Sequence, residues 1–245
     1  MKKVLITGAN KGIGLETARQ LAQQGCHVYL GSRDFRKGEE AVAQLHQEGL
    51  TAVELVPIDI SDPDSVAAAH AELDSRVQVL DVLINNAGIS GGFPQPVFSM
   101  DMPKIREVFE TNFFGTINVT QTFFNMLKKS EAPRIVNITS GLASLSLHND
   151  PGWRYYKSKT AAYGPSKTAL NAYTIALAYE LRETPFRINA VDPGFTATDF
   201  NDYRGTNDIP TAAAFVVKYA LLDEKGPSGG YFSYDNNPET GVSPW

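Results

Sequence analysis

A single cysteine, Cys26, in 245 residues leaves no partner for an internal disulfide and fits a reducing, cytoplasmic setting. No apolar stretch approaches the roughly 20 residues needed to cross a bilayer, so no membrane partner is expected. Lys2-Lys3 resembles the start of a secretion signal, but only Val4-Leu5-Ile6 follows before Thr7-Gly8, which reads as a strand. Positive charge is not in excess: the net charge is −5, which argues against nucleic acid as a partner. The four histidines, His27, His46, His70 and His148, are scattered and have no metal-ligand spacing, so no metal site is expected. Repeats, low-complexity tracts and linkers are absent. Asn118 and Asn137 head glycosylation sequons, but both lie inside apolar elements, where a glycan has no room.

What is present is ordinary in bulk, with 42% hydrophobic and 20% charged residues, and organised in detail. Strand-like runs at 3–7, 27–31, 52–57, 79–84, 134–139, 187–191 and 231–234 alternate with helical patterns. Such alternation predicts an α/β fold: one domain over 1–245, a doubly wound, Rossmann-type parallel sheet of about seven strands with helices on both faces. Continuous apolar runs such as Val82-Leu83-Ile84 suit strands covered on both sides. In such sheets ligands lie beyond the carboxyl ends of the strands. Asn86, Ser140 and Pro193-Gly194 each follow a strand and are expected to line one crevice.

Two short segments carry chemistry. Thr7-Gly8-Ala9-Asn10-Lys11-Gly12-Ile13-Gly14 sits between a strand and a helix, where backbone N–H groups can reach a pyrophosphate. Tyr163-Gly164-Pro165-Ser166-Lys167 puts a phenol and an ammonium one helical turn apart, on one face. Together they suggest hydride transfer to a carbonyl, with Tyr163 supplying the proton. Tyr155 and Lys159 have the same spacing and compete for the role, but the helical pattern runs on directly from Tyr163. Gly226-Pro227-Ser228-Gly229-Gly230 matches a hydrolase nucleophile pattern. That elbow needs a strand before and a helix after it, and here the order is reversed, so it reads as a turn.

With Asn85-Asn86-Ala87-Gly88 after a strand, Asn112 on a helix, Ser140, the Tyr163/Lys167 pair and Pro193-Gly194 in this order, the chain resembles the short-chain dehydrogenase/reductase family, carbonyl-reductase-like members included, over nearly its full length. The resemblance implies a catalytic set of Asn112, Ser140, Tyr163 and Lys167. Ser140 would donate to the substrate oxygen. Lys167 would lower the phenol pKa and hold the nicotinamide ribose, and Asn112 would tie Lys167 to a proton-supplying water chain. It also implies a cofactor site of Gly8, Asn10, Lys11, Gly12, Ile13, Gly14, Arg33, Asp59, Ile60, Asn86, Ala87, Gly88, Tyr163, Lys167, Pro193, Gly194, Thr196 and Thr198. Asp59 would read the adenine amino group.

The cofactor choice falls after the second strand, where a carboxylate binds a ribose 2′-OH and an Arg accommodates a 2′-phosphate. Ser32 occupies the position that is acidic in NAD-preferring relatives, and Arg33 follows it. With Lys11 as a second cation this favours NADP(H). Asp34, one residue further on, is the alternative NAD carboxylate.

Ser140 and Tyr163 are 23 residues apart, longer than is usual in the family, which points to an insertion within 141–162. Many relatives form tetramers by packing two long helices, here 104–129 and 162–182, against their copies, and Leu145, Leu147, Trp153 and Tyr156 of the insertion could cover the second. A monomer is therefore favoured over a homodimer or tetramer. A substrate lid is expected at 195–209, hinged at Gly205, with Trp153, Tyr155, Phe195, Phe200 and Tyr203 as substrate contacts and 91–97 as a third wall. The expected activity is NADPH-dependent reduction of a small-molecule ketone or aldehyde, with bulky apolar substrates preferred. The alternative is a catalytically silent NADP-binding redox sensor.

Overall fold

The computed structural model describes residues 1–237 and 239–245. In chain order the elements are β1 (Lys3–Ile6), α1 (Gly12–Gln23), β2 (His27–Ser32), α2 (Phe35–Gln47), β3 (Val53–Pro57), α3 (Pro63–Arg76) and β4 (Val82–Asn85). There follow α4 (Met102–Phe109), α5 (Thr116–Lys128), β5 (Arg134–Ile138), the short α6 (Leu145–His148), α7 (Tyr163–Glu180), β6 (Arg187–Asp192), α8 (Ile209–Ala220) and β7 (Tyr231–Ser233). The seven strands form one sheet in the order β3-β2-β1-β4-β5-β6-β7, and every pairing is parallel.

Strand periodicity accounts for the layers. Successive side chains point to opposite faces. Val4 and Ile6 therefore join one core with Leu21, Leu45 and Val216 of α1, α2 and α8. Leu5, between them, joins the other with Leu73, Phe123 and Ala178 of α3, α5 and α7. Both faces are buried, hence the continuous apolar runs. The chain winds outward from β1 to β3 and then returns to place β4 beside β1. That reversal opens a crevice at the carboxyl ends of β1 and β4, the usual ligand position in this topology.

β3 ends at Pro57 as expected, with Asp59 two residues beyond it. Two elements depart from expectation by more than a residue. β4 starts at Val82 rather than at 79. The helix expected at 104–129 is interrupted by a π-helical turn, Glu110–Gly115. Gly115 lies so close to the loop after β3 that a Cβ there would stand 2.6 Å from the Ile60 carbonyl oxygen. The turn buries Asn112 completely, and π-turns of this kind often mark functional positions.

The segment 141–162 does not clothe α7. Its first residues pack on the start of that helix, where Thr168 Oγ1, in the second turn, donates to the Ala143 carbonyl. Leu145 and Tyr156 remain exposed, as do Ile175 and Tyr179 of α7. The apolar material of the insertion is instead turned toward the C-terminal segment. Ser146 N–H donates to the Trp245 carbonyl and Trp153 Nε1 to Asn236 Oδ1. Among the described residues no helix is long and apolar enough to cross a membrane, and no group of residues could hold a metal ion.

Candidate active site

A cleft of about 1000 Å³ runs along the carboxyl ends of the strands. Its first end is made of backbone. Gly8, Asn10, Lys11, Gly12, Ile13 and Gly14 line it, with Asn86, Ala87 and Gly88 opposite and Arg33, Asp59 and Ile60 at the far side. Asn86 holds the two loops together. Its Nδ2 donates to the carbonyls of Thr7 and Gly8 at 2.9 and 3.0 Å, and the N–H groups of Asn86 and Ala87 both donate to Thr7 Oγ1. This close approach is why the glycines are needed. A Cβ on Gly14 would stand 2.5 Å from Asn86 Nδ2, and one on Gly8, at φ +63°, would stand 2.8 Å from Ala87 Cα. The backbone left bare at the start of α1 suits a pyrophosphate.

At the end of β2, Ser32 is fully buried and its hydroxyl donates to the Asp34 carbonyl. Asp34 caps α2 by accepting from Lys37 N–H, and backbone hydrogen bonding from Lys37 is the main reason its pKa lies below the usual carboxylate value. Arg33 is exposed and lines the cleft. Lys11 also lines it, but its ammonium is paired with Asp199 of the 195–209 segment. Asp59 accepts from Ser61 Oγ and N–H at 2.6 and 3.0 Å, while Asp62 caps α3.

The middle of the cleft holds Ser140, Tyr163 and Lys167. Ser140 follows β5 and caps the turn Gly141–Ala143. Tyr163 is the first residue of α7 and Lys167 lies one turn on. The Lys167 Nζ donates to the Ile138 carbonyl at 2.8 Å, and burial lowers its pKa to about 8. Burial pushes the Tyr163 phenol above its usual value, with Ser140 opposing the shift. The Asp192 charge adds to the rise, so the lowering expected from Lys167 is not seen here. Asn112 does not line the cleft. It sits behind Gly88, with Oδ1 accepting from Ile89 N–H at 2.8 Å and Nδ2 donating to the Ile89 carbonyl and to Ser166 Oγ. A Cβ on Gly88 would stand 3.1 Å from Asn112 Oδ1 and 3.5 Å from Lys167 Nζ. Both groups therefore lie against one bare backbone position.

The far end is assembled from distant segments. Phe195 and Phe200 line it, and the Phe200 ring lies 5.6 Å from that of Tyr163. Pro193, Gly194, Thr196 and Thr198 form the adjoining wall. Tyr155 is also on the wall, but its hydroxyl donates to Asp235 Oδ2 at 2.6 Å, far along the chain from Lys167. Two expected substrate contacts lie elsewhere. Trp153 is buried against His148 and Tyr155, and Tyr203 is exposed, with φ +58°; neither borders the cleft. Gly205 packs closely on the start of the same segment, where a Cβ would meet the Thr196 carbonyl carbon at 2.0 Å. Of the 91–97 wall, Gly91 to Gln95 reach the cleft and Val97 is exposed.

Three residues of this end were not singled out from sequence. Asp235 accepts from Tyr155 Oη, Phe195 N–H and Asn207 Nδ2, joining the insertion, the lid and the C-terminal segment. Asp192, at the end of β6, accepts from Ser233 Oγ and Gly194 N–H, and burial raises its pKa to about 7. Gln95 is buried beneath the start of α7. The contacts that give them their place at this end, from Gln95 to Tyr163, Asp192 to Ser233 and Asp235 to Tyr155, join segments far apart in the chain, which no short-range pattern marks.

A parallel, doubly wound sheet with a bare-backbone cradle and a Tyr–Lys pair across one cleft defines a dinucleotide-binding oxidoreductase architecture. The family model for short chain dehydrogenases matches residues 2–208, and the chain belongs to that family. It is 32% identical to a (+)-neomenthol dehydrogenase of Capsicum annuum, over 93% of this chain and 94% of that protein. Among solved structures, salutaridine reductase of Papaver somniferum superposes with a TM-score of 0.83 at 27% identity, covering 94% of this chain and 99% of that one. An NADPH-bound carbonyl reductase from chicken fatty liver gives 0.82 at 26% identity, covering 100% and 99%. Membership makes the chain an oxidoreductase of carbonyl and alcohol groups that uses a nicotinamide cofactor.

Proposed function

We propose that the protein reduces ketones or aldehydes to alcohols with NADPH, reversibly. The observation that carries this reading is the convergence of Ser140, Tyr163 and Lys167 on one cleft with the glycine cradle. The residues present fit a dinucleotide, since Gly8, Gly12 and Gly14 leave the α1 backbone open beside Asn86 and Ala87. When bound, the cofactor supplies the hydride.

This chain's residues do the rest. Ser140 holds the substrate oxygen by a hydrogen bond. Tyr163 donates the proton that the developing alkoxide needs, and its phenol is protonated at neutral pH. Lys167 at about 8 holds or yields a proton near neutral pH and is placed to hold the ribose. Asn112 steadies the loop at Ile89 behind it. Asp59 would take the adenine amino group. Arg33 supports NADPH over NADH, because it lies free on the cleft wall while Asp34 is engaged in capping α2.

Phe195, Phe200, Phe93 and Leu142 favour bulky apolar or aryl ketones. The single sheet from Lys3 to Ser233 supports one cofactor-binding and catalytic unit. The exposed faces of α7 remove the reason for preferring a monomer, and light scattering against the chain mass of 26.7 kDa decides the assembly. NADPH oxidation across a panel of aryl ketones, small keto acids and aldehydes tests the function. Turnover of the aryl ketones is expected. NADPH binding without turnover of any carbonyl supports a redox sensor instead.

A further inference from the structure

The first turn of a helix leaves N–H groups without intrahelical partners, and its residues fray unless these are held. Tyr163 is the first residue of α7, and the N-cap residue, Ala162, has no capping side chain. Each donor is nevertheless accounted for. Gly164 N–H donates to Thr160 Oγ1 at 2.8 Å, Pro165 has none, and Ser166 N–H closes the first turn onto the Ala162 carbonyl. The N–H groups of Ala162 and Tyr163 both donate to one atom, Gln95 Oε1, at 3.1 and 2.9 Å.

Gln95 comes from the loop after β4, 68 positions from Tyr163, and is 4% exposed. Its Nε2 donates to the carbonyls of Ser90 and Gly92, so the amide uses two acceptor sites and both donor hydrogens. The loop beneath it is itself held. Gly91 has φ +77°, and a Cβ there would stand 2.4 Å from Val108 Cγ2. The Phe93 ring, from the same loop, lies 6.3 Å from the Tyr163 ring.

We infer that Gln95 is a positioning residue for Tyr163: it caps α7 from another part of the chain and fixes where the phenol enters the cleft. The inference rests on Tyr163 being the proton donor. Its consequence is geometric. A small misplacement of a reacting group costs far more rate than binding, and the cofactor cradle lies on other elements. Loss of the cap should therefore act on kcat and leave cofactor affinity alone.

The test compares Tyr163→Phe, Gln95→Met and Gln95→Glu in the whole protein, with an aryl ketone and NADPH. Met keeps the size of Gln but offers no comparable acceptor; Glu keeps the acceptor at the positive end of the helix. The expected result for Gln95→Met is a fall in kcat of roughly ten- to hundredfold, an unchanged NADPH Kd and a displaced pH–rate limb, with Gln95→Glu recovering part of the rate. Retention of kcat within about twofold in Gln95→Met, while Tyr163→Phe is inactive, overturns the inference and leaves the reading of Tyr163 standing. Parallel losses of kcat, NADPH affinity and Tm, with no recovery by Glu, overturn it as well, since Gln95 then only supports the fold. An active Tyr163→Phe instead refutes the reading on which the inference rests. Should Gln95→Met fail to fold, hydrogen exchange in the native protein decides: slow exchange of the Ala162 and Tyr163 amides is expected, and exchange at the rate of open chain overturns the cap.

Discussion

The two ends of the cleft are built on opposite principles. At the cofactor end the wall is backbone: Gly8, Gly12 and Gly14 leave the start of α1 bare, and Asn86 ties that loop to the one after β4. At the substrate end the wall is side chains from four segments, and buried or half-buried polar groups hold them in place. Asp235 joins Tyr155, Phe195 and Asn207, and Gln95 joins the loop after β4 to α7. The first arrangement has no room for a Cβ at Gly8 or Gly14. The second can exchange one side chain for another while the scaffold stands, and specificity resides in such places.

The sharpest test lies where the two ends meet. Tyr163→Phe should lower kcat by about 10²- to 10⁴-fold while NADPH still binds, as read by steady-state kinetics and cofactor fluorescence. Loss of binding instead would mean that the phenol belongs to the cofactor end alone.

Next comes the buried carboxylate beneath the substrate end. Burial raises the Asp192 pKa from 3.8 to about 7, so between these values the folded state binds more protons than the unfolded chain and stability falls as pH rises. The full penalty is present above about 7 and absent below 3.8. Asp192→Asn keeps an acceptor for Gly194 N–H and can donate to Ser233. Its Tm should exceed the native value at pH 8, with the gap closing toward pH 4. An equal Tm difference at both pH values would remove Asp192 from the titration.

A backbone wall should fail abruptly. Gly14→Ala drives a Cβ to 2.5 Å from Asn86 Nδ2 and 2.8 Å from the Gly8 carbonyl. Overpacking of this kind costs about 1–3 kcal/mol, to be seen as a lower Tm together with weaker NADPH binding. An alanine variant that binds normally would show that the two loops can part. A change of similar size, confined to one cofactor, is expected from Arg33→Ala, which should weaken NADPH by about 1.5–3 kcal/mol through loss of a charged contact and leave NADH almost unaffected. Calorimetry with both cofactors reads this, and equal affinities in the native protein would already refute it.

The mildest effect belongs to the side-chain wall. Tyr155→Phe removes one of three hydrogen bonds to Asp235 and should cost about 0.5–1.5 kcal/mol of stability. Substrate KM and enantiomer ratio should shift while kcat stays within a few fold. Collapse of kcat would mark Tyr155, and not Tyr163, as the acid.

Much of the cofactor end was legible because its signals are local. A glycine run between strand and helix, Asn86 after a strand and Tyr163 one turn from Lys167 are all read within a few residues. The seven strands and their two buried faces follow from the same short periods. Trp153 and Tyr203 were misplaced, and Gln95, Asp192 and Asp235 went unnoticed, for one reason. An aromatic ring in an insertion packs wherever distant chain presents a surface, and a polar side chain declares its role only when its partners arrive from far away. The sequence by itself determined the alternating elements, the parallel sheet and the residue types at its carboxyl ends, because periodicity and turn chemistry act over neighbouring residues. Only the tertiary structure decided which aromatics face the cleft and that Gln95 caps α7. Burial and contacts between distant segments exist only once the chain has folded.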